Sequence, residues 1–172
     1  MSGQNALNIR TFKPADLAQV HELFVSGLME FAAGVEQEVR SYVDHSLSAD
    51  LSDIPGHYLS HPRANFWVAE SDDIGIAGMV GIQPTVLEEE AELRRMSVSS
   101  SARRQGIGRR LLDTTEVFCR EKGYQRICLS TVGILQPALA MYRGYGYKTV
   151  KEEPYGDPPN RAITVHYLVK GL

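Results

Sequence analysis

The stretch Leu93–Leu112, LRRMSVSSSARRQGIGRRLL, constrains this chain more than any other. It reads as a strand, then a short polar turn with clustered arginines and two glycines, then a helix. Backbone N–H groups at a helix N-terminus have no intrahelical partner and carry partial positive charge. Glycine lets the backbone approach an anion without a Cβ in the way. The segment is therefore a recipe for holding a phosphate. A dinucleotide fingerprint would read GxGxxG, and a P-loop would read GxxxxGK followed by Ser or Thr. The chain has Arg103-x-x-Gly106-x-Gly108 and fits neither.

The flanking pattern predicts the rest of the order. Leu7 to Phe12 alternates as a first strand, and apolar residues from Leu17 to Phe31 recur at helical spacing. A second helix covers roughly Glu36 to Leu51, ending before Ser52, Asp53, Pro55 and Gly56. Phe66–Glu70 and Ile76–Gln83 form a hairpin, and Ala91–Val98 adds a third antiparallel strand. A helix from about Ile107 to Lys122, capped by Gly123, precedes a strand at Arg126–Thr131. A right-handed crossover makes those flanking strands parallel. A short helix at Pro137–Arg143 leads to closing strands at Tyr147–Lys151 and Ile163–Val169, joined by a turn-rich stretch from Pro154 to Asn160. The expected fold is α/β, a mixed and mostly antiparallel sheet flanked by helices, as a single domain over residues 1–172.

Composition limits the partners. With 172 residues and a net charge of -3, the chain has no general attraction for nucleic acid, so any anion site must be local. No run approaches the ~20 apolar residues of a membrane span, and the N-terminal MSGQNALNIR lacks the apolar core of a secretory leader. Cys119 and Cys128, the only two cysteines, have no metal-ligand spacing and read as buried reduced thiols. The expectation is a cytoplasmic protein without a metal, without a membrane segment and without a nucleic-acid partner. His57 and His61 are four residues apart but lack a third ligand nearby, and read as loop histidines. Trp67 reads as core, and Tyr155 as a residue able to close over a substrate.

The six residues Arg103-Arg104-Gln105-Gly106-Ile107-Gly108 match the Q/R-x-x-G-x-G/A signature of the GCN5-related N-acetyltransferases. Ala138, Met141, Tyr142, Gly146 and Tyr147 resemble that family's second motif, A-x-x-x-Y-x-x-x-G-F/Y. The likeness covers nearly the whole chain, from Ile9-Arg10 through FWVAES, IAGMVGI and ELRRMSVS. The tract FWVAES…ELRRMSVS…RRQGIG also resembles a vertebrate branch that acetylates cysteine conjugates and other amino groups, and whose members carry a membrane segment.

The resemblance implies acetyl-CoA as cosubstrate and a primary amine, small molecule or peptide, as acceptor, with direct transfer in a ternary complex. The amides from Arg104 to Gly108 would hold the diphosphate, with Arg103, Arg104, Gln105, Gly106, Ile107, Gly108 and Arg109 forming the cofactor site. Met96 and Val98 would offer backbone groups to pantetheine and the thioester carbonyl, an amide there also stabilising the developing oxyanion. Transfer needs a neutral amine, so a carboxylate base is required. Glu92, six residues before Val98, stands where relatives carry theirs, and strand alternation places Glu88, Glu90 and Glu92 on one face unless a bulge breaks it. Tyr142 stands where the family protonates the departing thiolate. Leu135 departs from the family's usual Asn, with Gln136 adjacent. Relatives that pair through C-terminal strands make a homodimer an expectation. The contrasting reading is a non-catalytic acyl-CoA-binding module.

Overall fold

A computed structural model describes residues 6–172. Residues 1–5, half of the segment judged above for a leader, lie outside the described residues. The strands are β1 (Leu7–Thr11), β2 (Asn65–Ser71), β3 (Gly75–Pro84), β4 (Glu90–Val98), β5 (Arg126–Val132), β6 (Lys148–Tyr155) and β7 (Asn160–Gly171). The helices are α1 (Leu17–Met29), α2 (Glu36–Ser48), α3 (Ile107–Glu121) and α4 (Gln136–Gly144). Pro154 and Tyr155, expected in the closing turn, belong to β6. β6 is a sheet edge, where proline's missing N–H costs no ladder bond.

The sheet runs β1-β2-β3-β4-β5-β7-β6. Every neighbouring pair is antiparallel except β4 with β5, which the α3 crossover makes parallel. Both faces are covered. Trp67 and Ala69 of β2 pack into the cluster under α3 and α4, whereas Phe66 and Val68 pack into the one under α1 and α2. That is why β2 reads as a nearly continuous apolar run rather than an alternation. Trp67 is core, meeting Phe118 edge-on at 5.0 Å. Gly78 lets α3 lie directly on β3, since a Cβ there would stand 2.9 Å from both Ile107 Cγ2 and Leu111 Cδ1. Gly81 makes the same allowance for Tyr58, whose Cε1 a Cβ would meet at 2.7 Å. No helix among the described residues is long and apolar enough to cross a membrane.

Two irregularities in β4 shape the middle of the sheet. The first is a bulge. Gly81 lies opposite Arg94 and Met79 opposite Ser97, so Val80 faces two residues, Arg95 and Met96. Arg95 takes φ +58 there. The second is a parting of strands. β4 and β5 align over three residue pairs, the last being Glu92 with Cys128. Beyond it β5 stays paired with β7 up to Val132, and β4 continues alone on that side.

Candidate active site

The parted strands open a cavity of about 390 Å³. Glu92 to Val98 line one wall and Leu129 to Val132 the other, with Met141 and Tyr142 of α4 between them. Phe24, Phe31, Tyr42 and Tyr155 line the side beneath α1 and α2. Asn160 donates to Glu38 at 3.1 Å, so the tip of the β6–β7 hairpin rests on α2.

The bulge decides which amides face this cavity. At the start of β4, Glu90 accepts a bond from the Thr85 N–H at 3.2 Å; after its end, the Ser99 N–H donates to Ala77 at 2.8 Å. Residues 90 and 99 both bond the β3 side, although an unbroken alternation would have put them on opposite sides. The extra residue at the bulge therefore turns the backbone groups of Met96 and Val98 away from β3, into the gap. Their side chains pack on the α3 and α4 core, the same face that Ala91 and Leu93 occupy.

The loop after β4 brings the chain to α3. Arg104 and Gly106 both have left-handed backbone, at φ +63 and +74. Gly106 caps α3 without any side-chain bond, and the first helical bond runs from the Arg110 N–H to the Gly106 carbonyl at 3.0 Å. The amides of Ile107, Gly108 and Arg109 thus have no intrahelical acceptor. A Cβ on Gly106 would meet nothing within 4 Å, so the space beside the cap residue is open. Gly108 has a different reason: its Cβ would stand 2.6 Å from Met141 Sδ. The sequence reading gave both glycines to phosphate approach; at the second, close packing against Met141 is a further demand for glycine. The Ile107 side chain is buried, leaving only its amide available. Arg104 and Gln105 are exposed, and Arg109 lies 5.9 Å over the Tyr145 ring. Arg103 lines the cavity but is held by both carboxylate oxygens of Glu30 and stacked over Phe31.

Tyr142 is 5% exposed, lines the cavity and packs edge-on against Tyr147 at 5.9 Å. Burial alone raises its ionisation above the ordinary tyrosine value, with no partner for its hydroxyl among the described residues. It is a protonated donor at neutral pH. Glu92 lines the same cavity with its side chain 44% exposed, 3.2 Å from Arg94 Nε. Its neighbours in the acidic run do not reach the cavity. Glu88 and Glu89 sit in the turn before β4, and Glu90 is taken by Arg126 at 2.8 Å and Thr85 at 3.1 Å. Glu88 is therefore not part of the strand face on which it was expected.

Sequence reasoning missed a buried ionic cluster next to this site. Asp50 is 3% exposed and receives Arg95 through Nε at 3.0 Å and Nη2 at 2.6 Å, together with the Tyr58 hydroxyl. Burial pushes the Asp50 carboxyl up, yet the Arg95 and Tyr58 bonds outweigh it and hold the group below the ordinary range. Nothing local in sequence joins residues 50, 58 and 95; the cluster exists only once α2 lies against β4. His57 and His61 are exposed and lie outside the cavity. No cluster of His, Cys, Asp and Glu suited to a metal occurs among the described residues. Burial pushes the Cys119 and Cys128 thiols up to about 12, and neither lines the cavity.

A parallel strand pair that parts around a cavity, entered by a bulged strand and followed by a glycine-turned helix, defines the acetyltransferase class of α/β domains. Residues 62–149 match the family model described as the acetyltransferase (GNAT) domain, and the chain belongs to that family. Human N-acetyltransferase 8 is 41% identical over 111 residues, which is 62% of this chain and 48% of that protein. Rat N-acetyltransferase 8F1 is 36% identical over 135 residues, 77% of this chain and 60% of that one. The chain spans about half the length of the curated relatives it matches. Among solved structures, a GNAT-family acetyltransferase from Staphylococcus aureus Mu50 superposes with a TM-score of 0.78 at 23% identity, covering 97% of this chain and 99% of that one. PaiA N-acetyltransferase from Thermoplasma acidophilum, solved in complex with coenzyme A, gives 0.77 at 19% identity over the same shares, 97% and 99%. At these identities the structural likeness establishes the fold.

Proposed function

We propose that this chain transfers an acetyl group from acetyl-CoA to a primary amine by direct attack in a ternary complex. The observation that carries the reading is that one cavity joins three kinds of group the reaction needs. These are the amides freed by the β4 bulge, the unpartnered Tyr142 hydroxyl and the Glu92 carboxylate. The uncapped N-terminus of α3 and the open space at Gly106 fit a diphosphate. Each hydrogen bond to such a charged group contributes about 1.5–3 kcal/mol, and a few of them suffice for micromolar binding.

Each residue then has a distinct task. The amides of Arg104 to Arg109 hold the diphosphate, and Arg104 and Arg109 add positive charge. Met96 and Val98 align the pantetheine arm through their backbone, and an amide beside the thioester carbonyl receives negative charge as it develops. Glu92 takes the proton from the ammonium form of the acceptor. Arg94, at 3.2 Å from Glu92, orients that carboxylate. Tyr142 gives its proton to the leaving thiolate. The aromatic side formed by Phe24, Phe31, Tyr42 and Tyr155 suits an amine carried on an apolar body. Glu88 to Glu90 lie outside the cavity and have no place in choosing the acceptor.

The test is an acceptor panel with acetyl-CoA, read by coenzyme A release. Turnover with at least one amine, reduced in Glu92→Gln most strongly at low pH where the amine is protonated, supports the reading. Coenzyme A binding with no turnover on any amine sinks it in favour of a non-catalytic acyl-CoA-binding module.

A further inference from the structure

The β4 bulge is placed at a residue type that disfavours it. Arg95 adopts φ +58, a backbone region where glycine is the default and a long branched-off side chain is strained. An arginine persists there because its side chain is used. Its guanidinium enters the layer beneath α1 and α2, where the side chain is 6% exposed. Nε and Nη2 take both oxygens of Asp50, and Nη1 donates to Tyr42 Oη at 2.9 Å and Ser46 Oγ at 3.1 Å. The rings of Phe24 and Tyr42 lie 5.4 and 5.8 Å from the guanidinium carbon. Asp50 is held in turn by the Tyr58 hydroxyl. A planar fork bonded on this many sides has one orientation, and so does the backbone that bears it.

That backbone is what selects the amides of the cavity. Without the extra residue, β4 would keep its starting alternation and present Ser97 and Ser99 to the gap in place of Met96 and Val98. We propose that Asp50 is a positioning residue for acyl transfer: through Arg95 it locks the β4 bulge in the phase that aims the Met96 and Val98 amides at the acyl group. Asp50 touches no substrate. The cluster also joins two walls of the cavity, because Tyr42 of α2 lines it together with Met96 and Val98 of β4. The proposal rests on the acyl-CoA reading of the cavity, but not on turnover itself.

The variants are Asp50→Asn, which keeps the volume and removes the charge, and Arg95→Gly, which relieves the left-handed strain and removes the fork. Tyr58→Phe keeps the ring in the core and deletes one bond to Asp50, and serves if Asp50→Asn does not fold. The main readout is the ¹⁵N–¹H shift of the Met96 and Val98 amides when acetyl-CoA replaces coenzyme A. The second is kcat set against coenzyme A affinity. In the wild type these two amides should respond to the acetyl group. In folded Asp50→Asn and Arg95→Gly the response should be lost or the peaks broadened, and kcat should fall at least tenfold, while coenzyme A affinity stays within about twofold because the diphosphate is held elsewhere. Wild-type amide responses in these variants overturn the proposal, as does a loss of kcat matched by an equal loss of coenzyme A affinity. A wild-type protein that binds acetyl-CoA but acetylates no amine refutes the transferase reading, and the amide shifts still decide the role of Asp50.

Discussion

Gly106 and Gly108 stand two residues apart, yet each should fail differently when given a methyl group. Gly106 caps α3 at φ +74, and a built Cβ meets no heavy atom within 4 Å. Alanine there costs backbone conformation alone, roughly 1–2 kcal/mol. At roughly 2–4 °C per kcal/mol for a chain of this size, melting falls by about 2–8 °C. A cap shifted off its left-handed conformation also moves the uncapped amides proposed to hold the diphosphate, so coenzyme A affinity falls as well. Losing one charged hydrogen bond of roughly 1.5 kcal/mol weakens binding about tenfold. Gly108 lies inside the first turn of α3, where alanine is favoured by about 1 kcal/mol. Its Cβ, however, would stand 2.6 Å from Met141 Sδ. Methionine has three rotatable bonds and gives way, so Gly108→Ala should stay within about 1 kcal/mol of wild type. The displaced Met141 then intrudes on the cavity and weakens cofactor binding. Truncating it in Gly108→Ala/Met141→Ala removes the intrusion. Thermal unfolding and calorimetric titration with coenzyme A measure both quantities. A Gly106→Ala protein that melts and binds as wild type refutes the left-handed cap. A Gly108→Ala binding defect unchanged by Met141→Ala refutes the packing account.

Tyr142→Phe removes a buried hydroxyl with no partner among the described residues, so stability should change by less than about 1 kcal/mol while kcat falls by about 10²-fold, read by coenzyme A release. Asp16 is held by the Arg10 guanidinium at 2.8 and 2.9 Å, an interaction that lowers its carboxyl from 3.8. A depressed carboxylate contributes stability that is present above its unfolded value and lost as pH falls through the native one; Asp16→Asn should therefore destabilise at pH 7 and match wild type in strong acid, by denaturant titration at several pH values. Burial pushes Cys119 and Cys128 up to about 12. Because the thiolate is the reactive form, neither should take up iodoacetamide at pH 8 until denaturant is added, as intact mass will show.

The order of elements was readable because it is written in local periodicity. The apolar stripe from Ile107 to Cys119, the glycine at 123 and the short apolar runs of β2 and β3 each specify an element from neighbours a few residues away. The hairpin of β6 and β7 came out longer than expected, because a proline that would break a central strand is harmless at an edge. The acidic run looked like one face, and the turn at Glu88 and Glu89 together with Arg126 reduced its contribution to the cavity to Glu92. Arg103, expected in the cofactor site, is paired with Glu30.

By itself, then, the sequence determined the mixed sheet, the parallel crossover and a glycine turn at the mouth of a helix, since propensity, period and handedness act along the chain. Tertiary structure decided where β4 and β5 part, which amides the bulge releases and which charges are already matched. Those depend on register between strands remote in sequence, and on Asp50 reaching Arg95 across two layers. Registers and buried ion pairs are chosen by the packing of the whole core, and no local pattern carries them.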